Sequence, residues 1–158
     1  MNEEARLVLR AREAVAQLFM RRLHVPEIFF EAPWPSVKTR VDVLAIDRAG
    51  SGDLHIAEIK REAEDAFNAI PQLMKHPAHY RWIVYEGGTM GSRRLVRLIK
   101  ERTFPTEGAG RIGVIMIVRL ANDALTAQRV VEAERFHGLS YEKIDRFKKS
   151  HEPDMCVR

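Results

Sequence analysis

Cysteine is nearly absent. Cys156, close to the end of the sequence, is the single thiol among 158 residues. No disulfide can therefore form within the chain, and no thiolate zinc site can be assembled from it. No apolar run approaches the ~18 residues that a bilayer-spanning helix needs. The opening segment MNEEARLVLR is acidic and then amphipathic. It lacks a basic stretch followed by an apolar core, so it is not read as a secretory signal. Internal repeats, low-complexity segments and long linkers are missing as well. Together these absences predict a reducing, cytoplasmic setting without a membrane partner.

What is present is ordinary in bulk. Hydrophobic residues make up 46% and charged residues 30%, a globular composition on a chain long enough to bury a core. Disorder is excluded as the main state, and one domain over residues 1–158 is expected. The net charge of +4 and the pI near 9.5 lean towards polyanionic partners, nucleic acid first. Many unrelated small proteins are equally basic, so charge supplies a direction and no more.

Periodicity supplies the elements. Leu7, Val8, Ala11, Val15, Leu18 and Phe19 form one stripe of a helix over residues 3–23, and Glu4 continues that stripe while Glu13 points away. A short β-like stretch, VPEIFFEAPWP, closes on Pro33 and Pro35. TRVDVLAID and LHIAEIK follow, joined by RAGSGD, whose glycines and Asp53 read as a hairpin loop. Both runs are continuously apolar, as strands covered on two faces are. The pattern is helical again from Glu62 to about Lys75, with Pro71 expected to kink or restart it. YRWIVYE is a further strand, Ser92 caps a helix with Leu95, Leu98 and Ile99 inward, and RIGVIMIV is a buried strand. LTAQRVVEAERFH is read as strand-like, with helix as the alternative. Ser140 then opens a last amphipathic helix with Tyr141, Ile144 and Phe147, running into a polar tail. The fold class is α/β: a mixed central sheet flanked by helices. Its core covers about residues 3–120, with a C-terminal strand–helix extension over about 121–158.

The hairpin carries the chemistry. Asp42 opens its first strand, and Glu58 and Lys60 close the second. Isolated charges in buried strands are costly unless paired or bound to a metal. Residues two apart share a face of a strand, so Glu58 and Lys60 project together, and pairing through the loop returns them to Asp42. Two carboxylates with water suit Mg²⁺. A metal held there polarises a phosphoryl oxygen and acidifies water, and Lys60 can orient water or offset developing charge. The competing reading is a structural ion pair with Lys60 or Arg40, although such pairs seldom add stability over apolar residues.

RVDVLAID, the glycine-containing turn and LHIAEIKR together resemble the PD-(D/E)XK, or restriction-endonuclease-like, nuclease superfamily. The resemblance spans roughly residues 3–86 and includes the element order of an αβββαβ core. It implies Mg²⁺- or Mn²⁺-dependent hydrolysis of phosphodiester bonds in DNA, in the manner of an endonuclease. It also implies Asp42 and Glu58 as metal ligands, the Ile59 backbone carbonyl completing the inner shell, and Lys60 as the water-activating or phosphate-stabilising residue. Gln72, on the helix after E-x-K, is carried over as a supporting catalytic residue, and Glu4, on the first helix, as a further metal ligand. The chain departs from the pattern in having no proline before Asp42 and in placing Pro71 beside Gln72.

Other features have plainer readings. Glu62, Glu64 and Asp65 complement a helix N-terminus, and Asp47 starts a turn. His76 and His79 are separated by Pro77 and lack a third ligand, so surface or phosphate-contacting roles are expected over zinc. YEGGTMGS lacks the G-K-[ST] ending of a nucleotide-binding loop. Arg93, Arg94, Arg97 and Lys100 form a basic helix face suited to tracking a phosphate backbone. Trp34 and Trp82 are assigned to packing. DNA is the expected partner, with RNA not excluded, and a homodimer suits cleavage of both strands. The alternative function is a non-catalytic nucleic-acid-binding or partner-recruiting module that retains the nuclease fold.

Overall fold

The computed structural model describes residues 2–48, 52–86, 93, 94, 97, 110–137 and 139–156, without the side chains of Glu3, Glu4 and Leu7. Helix α1 (Glu3–Arg22) starts at Asn2, whose side chain accepts from the Ala5 N–H and satisfies one of the helix's unpaired donors. It leads into β1 (Pro26–Pro33), β2 (Arg40–Asp47) and β3 (Leu54–Lys60), then helix α2 (Ala63–Met74) and β4 (Tyr80–Glu86). Strands β5 (Gly113–Arg119) and β6 (Leu125–Val131), helix α3 (Tyr141–Ser150) and the short β7 (Met155–Cys156) complete the described elements.

All seven strands belong to one mixed sheet, ordered β6-β5-β4-β3-β2-β1-β7. The β1–β2–β3 segment is an antiparallel meander. Strand β4 lies parallel to β3 after the α2 crossover, and β5 lies parallel to β4. Helix α1 covers one face, over Val43, Ala45, Ala57, Ile59, Trp82 and Val84. Helices α2 and α3 cover the other, over Leu44, Ile46, Leu54, Ile56, Ile83 and Tyr85. The central strands are thus buried on both sides, which is why their sequences run apolar without alternation. The architecture is a single α/β domain.

The structure departs from the sequence expectations at several points. Helix α2 runs on to Met74 with Pro71 inside it. Buried Ile70 and Leu73 anchor that last turn to the sheet and offset the missing backbone bond. The 125–137 segment resolves as a strand over Leu125–Val131 only. The polar tail adds β7 to the outer edge of β1, where Asp154 also accepts from the Phe30 N–H at 2.8 Å; this covers an edge otherwise open to pairing. On α3, Ile144 and Phe147 are buried, whereas Tyr141 is 38% exposed. Its hydroxyl donates to Asp53 at 2.9 Å and bonds Arg135 at 2.7 Å. His76 and His79 are buried rather than on the surface. The His79 Nδ1 accepts the Leu54 N–H at 2.9 Å, and the Arg81 guanidinium donates to the His76 carbonyl. Trp34 and Trp82 are buried, as expected for packing residues. Ser92, Leu95, Leu98 and Ile99 lie outside the described residues, as does the GGTMGS segment.

Candidate functional site

Strands β2 and β3 pair from Ile46↔Leu54 to Val43↔Ala57, a register whose next step sets Asp42 opposite Glu58. There the ladder changes character. The Asp42 Oδ2 accepts the Ile59 backbone N–H at 2.7 Å. A side chain thereby takes over a bond that a longer ladder would supply to the backbone. The two carboxyl groups are close enough for each to act on the other's proton affinity. By strand alternation both share the α2-facing side of the sheet with Leu44, Ile46, Leu54 and Ile56. Lys60, two residues beyond Glu58, shares that side.

Their electrostatics follow from this setting. Burial is the largest influence on Asp42 and raises its pKa, while the Ile59 N–H and the Lys60 charge oppose the rise. Glu58 is pushed up to about 8, first by burial and second by the Asp42 charge, with Lys60 acting against both. Without another cation, the pair therefore holds a proton to higher pH than a free carboxylate does. A divalent cation would displace that proton, so the donor set fits a hard, oxygen-seeking metal. The Ile59 N–H points towards β2, and in an extended strand the carbonyl of the same residue points to the same side. Asp42, Glu58 and the Ile59 carbonyl are the groups that would hold such an ion. Among the described residues, no set of three or more His, Cys, Asp or Glu side chains is grouped to hold a metal, so water or substrate oxygens would have to complete the shell.

The other expected residues are dispersed. Gln72 is exposed on α2, turned away from the buried Ala66, Ile70 and Leu73; the structure does not bring it to the carboxylates. Arg40 donates to the Glu31 carbonyl at 2.9 Å rather than pairing with Asp42. Arg93, Arg94 and Arg97 are helical and exposed. Lys100 and the Glu4 side chain lie outside the described residues.

Sequence reasoning passed over Glu31. Its neighbours pair as Phe30↔Val43 and Ala32↔Val41, so it sits across β2 from Asp42, on the opposite side to Glu58. Its φ of 48° is left-handed backbone that a residue with a Cβ rarely adopts. Its charge adds to the upward pressure on the Asp42 pKa. An acidic residue inside FFEAP is the same anomaly that singled out Asp42. Asp53 was also missed: read as a turn residue, it accepts from Arg135 at 3.1 and 3.3 Å and from Tyr141. Asp47 does serve a turn, accepting from the His24 and Val25 backbone N–H groups at 3.2 and 2.9 Å.

No protein-family model matches the chain, and no curated protein matches its sequence. Among the described residues no helix is long and apolar enough to cross a membrane.

Proposed function

We propose that the chain is a metal-dependent nuclease of the PD-(D/E)XK type, hydrolysing phosphodiester bonds in DNA. One observation carries the reading: Asp42 and Glu58 adjoin on neighbouring strands, mostly buried and electrostatically coupled, with Lys60 on the same face. An arrangement that raises both acids costs stability and makes chemical sense as a cation site. The αβββαβ order and the antiparallel β1–β2–β3 meander with β4 parallel to β3 are in keeping with that superfamily's core.

On this reading Asp42 and Glu58 hold Mg²⁺ or Mn²⁺, which when bound supplies a Lewis acid to the phosphate. The Ile59 N–H locks one oxygen of Asp42 in place and leaves the other to face the ligand. Lys60 donates to a phosphate oxygen or to the attacking water, offsetting charge as the water–phosphorus bond forms and the bond to the leaving sugar oxygen breaks. Arg93, Arg94 and Arg97 supply positive charge for the backbone of the nucleic acid.

The test is cleavage of single-stranded, double-stranded and branched DNA in Mn²⁺ or Mg²⁺ by wild type, Asp42→Ala and Lys60→Ala. Metal-dependent cutting is expected, abolished by Asp42→Ala and reduced by ~10²–10⁴-fold by Lys60→Ala. A second reading, a nucleic-acid-binding module without cleavage, is favoured by the exposed position of Gln72. Tight DNA binding with neither cutting nor Asp42-dependent Mn²⁺ binding would select it.

A further inference from the structure

On the opposite face of the sheet from Glu58, at the far end of the hairpin, lies a cavity of about 400 Å³. The last turn of α1 roofs it with Leu18, Phe19 and Leu23; His55, Tyr80 and Trp82 form its floor. His55 is 6% exposed. Its Nδ1 accepts the Trp82 indole N–H at 3.2 Å, so the neutral ring carries its proton on Nε2. That Nε2–H has no partner among the described residues, yet it is not one of the sealed, unsatisfied buried atoms. On a residue this buried, the remaining exposure is towards the cavity that it lines. Burial keeps the ring neutral by lowering its pKa to about 4.

The walls are aromatic and already organised. His55 stacks on Tyr80 with centroids 4.4 Å apart and planes 9° from parallel, and Phe19 and Trp82 lie 5.7 and 6.5 Å away. The Tyr80 hydroxyl has no hydrogen-bond partner among the described residues. The carboxylates and the guanidinium that line the cavity already have partners. Asp47 holds the His24 and Val25 N–H groups, Asp53 holds Arg135 and Tyr141, and Glu132 pairs with Arg22 and Arg129. An entering molecule therefore meets apolar side chains, charges that are already paired, and two neutral groups without partners among the described residues, the His55 Nε2–H and the Tyr80 hydroxyl. A neutral donor that has already lost its water selects an acceptor atom, carried on an apolar body that leaves the charge pairs intact.

We infer that this cavity binds a small, uncharged heteroaromatic ring with an acceptor atom on the His55 Nε2–H. The site is independent of the nuclease reading, because it uses none of the same residues and faces the other side of the sheet.

Two probes of one shape separate the hydrogen bond from simple apolar filling. 1-Methylbenzimidazole, uncharged at pH 7.5, carries a ring-nitrogen acceptor; 1-methylindole lacks it. Both are titrated into ¹⁵N-labelled full-length protein, following the Trp82 indole N–H, which a Trp34→Phe variant assigns. The benzimidazole is expected to bind ~10-fold more tightly than the indole, the worth of about one neutral hydrogen bond, and to shift the Trp82 signal. His55→Phe keeps a ring but removes the donor, and should erase the preference. Should that variant fail to fold, the His55 Nε2 resonance of wild type reads the same interaction directly. Equal affinities for the two probes, an unmoved Trp82 signal, or a preference that survives His55→Phe would each overturn the inference.

Discussion

The Asp42 carboxylate accepts the Ile59 backbone N–H at 2.7 Å, just beyond Val43↔Ala57, the last backbone pair between β2 and β3. An acid thus serves as a piece of the sheet's ladder while a second acid, Glu58, lies beside it. The backbone bond and the Lys60 charge offset part of the cost of burying Asp42 there.

The raised Glu58 pKa makes stability depend on pH. Glu58 has a folded pKa near 8 against an ordinary value of 4.5, so the folded state binds more protons than the unfolded one between these values. Stability contributed by protonated Glu58 is complete below pH 4.5 and declines as pH rises through about 8. In metal-free buffer, wild type should melt at a lower temperature at pH 8 than at pH 6. Glu58→Gln should flatten that segment of the curve; a slope unchanged in the variant would assign it to other groups. Mn²⁺ affinity should rise over the same window, since metal and proton compete.

Asp42 can be tested for its two roles separately. Asp42→Ala leaves the Ile59 N–H without its acceptor and should cost ~1–3 kcal/mol in urea denaturation. Asp42→Asn keeps an acceptor and removes the charge, so at pH 8 it should be at least as stable as wild type. Equal stability of the two variants would mean that the hydrogen bond contributes nothing measurable. Both should lose Mn²⁺ binding.

Arg93, Arg94 and Arg97 are helical and exposed. Replacing all three with Ala should weaken DNA binding without changing the melting temperature, and should make the affinity less sensitive to salt. For every phosphate that the variant no longer neutralises, the slope of log affinity against log salt falls by ~0.9 on duplex DNA. An unchanged slope would show that this face is merely solvated.

Trp34 is 2% exposed, donates its indole N–H to the Pro77 carbonyl at 2.7 Å and packs edge-on against Phe147. Trp34→Ala should destabilise the chain by ~3–5 kcal/mol and leave intrinsic DNA affinity unchanged at temperatures where the variant is folded. A specific loss of DNA binding in a stable variant would instead make it a base-stacking residue.

Part of this architecture could be read before any coordinates. The hairpin was visible as two Val/Ile/Leu runs around a glycine turn, and Asp42 and Glu58 stood out because each breaks such a run. Glu31 breaks one too, yet FFEAP is short and closed by Pro33, so its charge does not stand out against a long apolar run. Gln72 was chosen by its place after E-x-K, but the phase of α2 is set by Ala66, Ile70 and Leu73, which turns it outward. His79 looked superficial beside Pro77, because its acceptor role towards the Leu54 N–H involves a strand 25 residues earlier.

By itself the sequence determined the period of each element, the order of elements along the chain and the pair of acids that the hairpin returns to one place. Those properties depend on neighbours two to four residues apart and on one short loop, where alternation and helical spacing act directly. Tertiary structure alone decided the rest: the burial that raises the Asp42 and Glu58 pKa values, the Asp53–Arg135–Tyr141 bonds spanning more than 80 residues, and the cavity beneath α1. Each of these depends on which elements pack face to face. Burial and the partners available there decide whether a polar group is charged, neutral or open to a ligand.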